Sequence, residues 1–133
     1  MQKIKLLLLL VLTSCSIADL DPVIFQHWLD VMVEFENTCA CATGVDIAIQ
    51  AKYMYSIYYP YNACLHCFVK CLYVSANFVN PDGSFKLKEF IRVFPETKDF
   101  AEKCLNESKN ELDLCLKLYN IEKCNVRELG GFS

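Results

Sequence analysis

Cys64-Leu65-His66-Cys67-Phe68-Val69-Lys70-Cys71 places three cysteines within eight residues near the middle of a 133-residue chain. In a helix, Cys67 and Cys71 stand four apart, on one face and one turn from each other. Cys64, three before Cys67, extends that face by a turn. A helix does not bridge to itself at this spacing without strain, so these thiols have to reach other parts of the chain. The stretch therefore reads as a rail to which neighbouring helices are bolted.

The rest of the composition fits such a scaffold. At 133 residues, 54% hydrophobic and 22% charged, the chain is long enough for one domain with a real core. The formal charge is −3, without a basic run, so nucleic acid is not an expected partner. Nine cysteines point to an oxidising compartment.

The N-terminal stretch points the same way. Lys3 and Lys5 precede an apolar run from Leu6 to Leu12, too short to span a bilayer, and Ser16-Ile17-Ala18 supplies small residues at a cleavage site. Residues 1–18 read as a secretory signal peptide and 19–133 as the mature domain, secreted and not inserted in a membrane. Cleavage removes Cys15, leaves an even eight cysteines, and takes the charge to −5. Leu12-Thr13-Ser14-Cys15 also resembles a bacterial lipoprotein box, a reading the remaining cysteines disfavour.

Along the mature chain the periodicity is helical. Asp21-Pro22 is an N-cap and first-turn proline, followed by Phe25, Trp28, Leu29 and Met32 at helical spacing. Gly44 ends that run and Asp46 caps a second, short helix. Asn62 caps the cysteine-rich third, expected to reach about Phe78. Asn80-Pro81-Asp82-Gly83 is a turn. Leu87 to Phe94 forms a fourth helix, Thr97 starts a fifth, and Ser108-x-x-Glu111 reads as a capping box opening a sixth, with Leu112, Cys115, Leu116 and Tyr119 on its apolar stripe. Tyr53, Tyr55, Tyr58, Tyr59 and Tyr61 read as the end of the second helix and an aromatic loop packed on the core. The functional alternative is a pocket rim or a dimer contact.

The spacing Cys39-x27-Cys67-x3-Cys71-x32-Cys104-x10-Cys115-x8-Cys124 resembles the six-cysteine signature of insect odorant-binding proteins of the pheromone-binding and general-odorant-binding type. The x3 and x8 intervals are its tightest elements, and Thr43-Gly44-Val45 and Pro81-Asp82-Gly83 fall at matching places. The resemblance implies an all-α, compact six-helix fold stapled around an apolar cavity. It also implies the pairs Cys39–Cys71, Cys67–Cys115 and Cys104–Cys124, one choice among the 15 that six cysteines allow. Cys41 and Cys64 are extra to the signature. They are expected to form a fourth bridge, with two free thiols as the alternative.

The function implied is a carrier of small hydrophobic ligands such as odorants or pheromones. From the apolar stripes, Trp28, Met32, Phe78, Ile91, Phe94, Phe100, Leu112, Leu116 and Tyr119 are the expected cavity lining. A chemoreceptor and a second copy of the chain are the further partners considered. A salivary or venom protein sequestering ligands on the same scaffold, and a disulfide-rich structural or signalling module without a cavity, are the competing readings. Zinc on Cys64 and Cys67 with His66, Cys41 and Cys71 is disfavoured because thiols in a secreted chain oxidise. His66 beside cysteines resembles secreted phospholipases, but their adjacent cysteine pair and calcium loop are missing. His27 and His66 are the only histidines and no nucleophile motif accompanies them, so no enzyme, cofactor or metal is expected. Asn106-Glu107-Ser108 is a glycosylation sequon, expected on an exposed loop between helices.

Overall fold

The computed structural model describes residues 20–131. The expected signal segment 1–18, with Cys15 and the expected cleavage site, lies outside the described residues. Among the described residues seven α-helices follow in order: α1 Pro22–Met32, α2 Glu36–Thr43, α3 Ile47–Tyr55, α4 Ala63–Ser75, α5 Leu87–Val93, α6 Ala101–Glu107 and α7 Leu114–Glu128. A 3-10 turn over Val33–Phe35 joins α1 to α2 without a loop, so these two form one rod and the six-helix order stands. The fold is all-helical. Among the described residues the only β pairing is an isolated bridge between Val79 and Phe85, closing the turn at Pro81-Asp82-Gly83.

Short polar side chains start the helices because they satisfy backbone N–H groups that have no partner in a first turn. Asp21 accepts from Val23, Asp46 from Ala48 and Ile49, Asn62 from Leu65 and Asp113 from Leu116. Gly44 ends α2 at φ 65°, a left-handed conformation in which a side chain is strained. The cysteine-rich helix stops at Ser75, short of Phe78. Asn77 takes the left-handed conformation there (φ 67°), and the Phe78 N–H reaches back to the Tyr73 carbonyl at 2.9 Å. This closure turns the chain so that Phe78 drops into the core.

The sixth helix begins later than the apparent capping box suggests. Asp113 is the N-cap of α7, while Ser108 ends α6 and Glu111 accepts from the Asp113 N–H at 3.0 Å. Leu112 is therefore not on the helix and is 97% exposed. Thr97 closes a 3-10 turn, and α6 starts only at Ala101. Asn106 is exposed, but on the last turn of α6 rather than on an inter-helix loop.

Helix α4 occupies the centre. Leu65, Phe68, Val69 and Leu72 are fully buried, and α4 packs most extensively on α7 and then on α2. Cys39–Cys71 ties α2 to α4, Cys67–Cys115 ties α4 to α7, and Cys104–Cys124 ties α6 to α7. These are the pairs that the resemblance implies. Two bridges thus leave α4 in different directions, which is the rail geometry. Lys103–Glu128 and Arg127–Glu107 add exposed ion pairs between α6 and α7.

The expected fourth bridge is absent: Cys41 and Cys64 are free and exposed. Cys39 aims at Cys71 on α4, and a residue two further along a helix is rotated by about 200°. Cys41 consequently faces away from α4, the helix that carries Cys64.

Candidate functional site

The site lies where α1 and the segment after α3 close over the ends of α4, α5 and α7. Ile24, Phe25 and Trp28 of α1 form one wall. Tyr53, Ser56, Ile57 and Tyr59 form the next, and Tyr73, Phe90 and Phe94 the floor. Glu122, Asn125, Val126 and Leu129 complete it from α7, at the i, i+3, i+4, i+7 spacing of a single helix face. Thr97 and Glu96 stand at its edge. The cavity, partly open to the surface, measures about 50 Å³. Leu20, Phe25, Ser56 and Ile57 also border an outer groove of about 470 Å³, which reaches Pro22, Tyr55 and Gly131. The cavity is thus an inner chamber with an outer vestibule.

Aromatic edges hold the chamber's shape. The Tyr53 ring meets Trp28 at 5.7 Å, Tyr59 at 5.5 Å and Phe68 at 5.9 Å, all near perpendicular. Such edge-to-face contacts are the favourable orientation of ring quadrupoles. Tyr119 ties the aromatic loop down by donating to the Pro60 carbonyl at 2.8 Å. Burial pushes its phenol up to about 12.

Among the described residues the one buried carboxylate is Glu122, 1% exposed. Trp28 donates its indole N–H to Oε1 at 3.1 Å, Tyr73 its hydroxyl to Oε1 at 3.2 Å, and Tyr53 its hydroxyl to Oε2 at 2.5 Å. Tyr59 also hydrogen-bonds this carboxylate. Four neutral donors from α1, α3, the following loop and α4 thus converge on one side chain of α7. Desolvation pushes the Glu122 carboxyl up to about 7, and the four hydrogen bonds hold it from rising further. Burial and the neighbouring carboxylate push the phenols of Tyr53, Tyr59 and Tyr73 well above their ordinary range.

Besides Glu96 at the edge, three other polar side chains line the chamber. Thr97 donates its hydroxyl to the Phe94 carbonyl at 2.7 Å, and Ser56 donates to the Lys52 carbonyl at 2.6 Å. Asn125 donates from Nδ2 to the Ile121 carbonyl at 2.9 Å, while its buried Oδ1 has no hydrogen-bond partner.

Of the nine expected lining residues, Trp28 and Phe94 border the chamber. Met32, Phe78 and Tyr119 are buried in the surrounding core, and Ile91 and Leu116 pack half-buried against it. Phe100 is half-buried away from the chamber and Leu112 is on the surface. Two of the five tyrosines, Tyr53 and Tyr59, stand in the wall, whereas Tyr61 is 83% exposed. Glu122 was detectable: with Leu118, Ile121 and Asn125 it falls on the core stripe of α7, where a charge is out of place.

His66 is buried between the rings of Tyr61 and Tyr119, and desolvation lowers its pKa. Cys67 and Cys71 are consumed in disulfides. Among the described residues no group of three or more His, Cys, Asp or Glu side chains is placed to hold a metal. Nor is any helix among them long and apolar enough to cross a membrane.

The family model described as PBP/GOBP family matches residues 26–128, most of the chain. No curated protein and no solved structure gives a significant match.

Proposed function

The chain belongs to the PBP/GOBP family, the insect odorant- and pheromone-binding proteins, and on that premise we propose that it is a secreted carrier of small hydrophobic molecules, not an enzyme. The observation that carries the reading is the aromatic chamber beneath α1, walled also by α3 with its following loop, by α5, and by α4 and α7, which the Cys67–Cys115 bridge ties together. A stapled shell does not collapse fully onto a gap, so a small apolar cavity persists and stays dry.

At about 50 Å³ the chamber is smaller than the roughly 300–1,000 Å³ of an occupied ligand pocket. An incoming ligand therefore has to push Phe25 and Ile57, which border both spaces, outward and join the chamber to the vestibule. Burying about 200–300 Å² of ligand surface at roughly 25 cal/mol per Å² contributes on the order of 5–7 kcal/mol. Opening and immobilisation subtract from this, while protein-side burial adds to it, so dissociation constants in the micromolar range are expected. Transfer of the cargo to a chemoreceptor is the downstream step that this proposal serves.

Native mass spectrometry of protein purified from its source tests the proposal. The expected spectrum shows one small apolar molecule per chain on a protein with three disulfides and two free thiols. A chain that carries nothing and takes up no apolar molecule offered to it would instead support a cavity-free structural module.

A further inference from the structure

We infer that the chamber selects ligands whose polar end is a hydroxyl, and disfavours those that can only accept a hydrogen bond, such as aldehydes, esters and ethers. This rests on the carrier reading and names the class of molecule carried.

The basis is the state of the polar groups in the wall. The Trp28 N–H and the hydroxyls of Tyr53, Tyr59 and Tyr73 are all directed to Glu122. The hydroxyl protons of Thr97 and Ser56 are spent on the carbonyls of Phe94 and Lys52. No side-chain hydroxyl or indole of the chamber therefore retains a proton for a ligand. Besides the second Asn125 N–H and, below about pH 7, the Glu122 carboxyl proton, the spare capacity is in acceptors. Thr97 and Ser56 keep oxygen lone pairs, and Asn125 Oδ1 is buried without a partner.

The orientation of Asn125 is set by chemistry. Only its amide nitrogen can donate to the Ile121 carbonyl, so its oxygen is the atom left over. Asn125 is 3% exposed and one turn from Glu122 on the same face of α7. A buried acceptor without a donor is costly, and a ligand that supplies the donor recovers that cost. A carbonyl or ether oxygen placed there adds a second acceptor and recovers nothing. An ammonium group would also donate, but it must be stripped of water first, whereas a hydroxyl brings its proton at lower desolvation cost.

The test uses the full, oxidised secreted protein loaded with an apolar naphthylamine dye, displaced by a primary alkanol, its methyl ether and the aldehyde of equal chain length. The alkanol is expected to compete about tenfold better than either partner, the discrimination of about one hydrogen bond. Asn125→Leu, whatever its own affinity for the dye, is expected to bring the three competitors to within about twofold of one another. Equal competition by alkanol and ether in the natural protein would overturn the inference, as would a preserved alkanol preference in folded Asn125→Leu. The natural-protein comparison decides alone if the variant does not fold. Failure to bind the dye at all would mean that the carrier reading fails, and this inference with it. Dye binding without alkanol preference removes only this inference.

Discussion

Glu122→Leu is expected to destabilise the protein by about 4 kcal/mol, because it leaves a cluster of buried donors with nothing to accept them. Trp28, Tyr53, Tyr59 and Tyr73 all direct protons at this one carboxylate. Leucine is somewhat larger and branched, so overpacking adds to the lost hydrogen bonding. Glu122→Gln retains one acceptor oxygen and is expected to fall between leucine and the natural residue. The pair also separates by pH. Folding raises the Glu122 pKa from an ordinary 4.5 to about 7, so the folded state holds this proton more tightly than the unfolded one. Stability from this group is then fully present below about pH 4.5, declines as pH rises towards 7, and levels off above it. The total is about 3 kcal/mol. In Glu122→Gln that decline is expected to vanish. Urea unfolding across this pH range reads both effects. A Glu122→Leu protein within about 1 kcal/mol of the natural one would show that the donors find other partners.

Removing the Cys67–Cys115 bridge is the other change with a large expected effect. Its separation of 48 residues is the longest of the three, against 32 for Cys39–Cys71 and 20 for Cys104–Cys124. In the chain-entropy description the double serine variant loses about 4 kcal/mol, more than removal of the shorter bridges. It also frees α7 from α4, the most extensive helix contact of the fold, and α7 carries Glu122 and Asn125 into the chamber. Ligand binding should therefore weaken along with stability. By contrast, Cys41→Ser and Cys64→Ser touch exposed free thiols and are expected to leave stability unchanged. Chemical denaturation of the oxidised variants gives the order. Equal stability of the double serine variant and the natural protein would contradict the rail role of α4.

Helix positions were largely legible because the signals were local. Asp21-Pro22, Asp46 and Asn62 each act within three residues of themselves, and the family resemblance carried by the cysteine pattern implies which helices must meet. The start of α7 was misread because Ser108 and Asp113 are both competent caps. Asp113 took the role while Glu111 bonded to its backbone N–H, and so Leu112 was left on the surface. The chamber was harder to read. Apolar stripes mark what is buried but not what borders a void, so Met32 and Phe78 are indistinguishable from Trp28 and Phe94 in sequence. Asn125 and Glu122 acquire their roles only from donors and acceptors on other segments, Trp28 lying 94 residues from Glu122. Cys41 and Cys64 made an even cysteine count that suggested a bridge, but the count carries no information on helix rotation.

The chain contains a single tryptophan, and Trp28 lines the chamber. Energy transfer from Trp28 to a bound naphthylamine dye therefore tests the central claim, that the space beneath α1 receives an apolar ligand, and reports the place as well as the fact of binding. Fully oxidised, helical protein titrated with the dye is expected to show saturable quenching of Trp28, with matching dye emission. The expected stoichiometry is one dye per chain, with a dissociation constant on the order of micromolar. The same protein, correctly folded, with Trp28 emission unchanged and the dye left in water would contradict it.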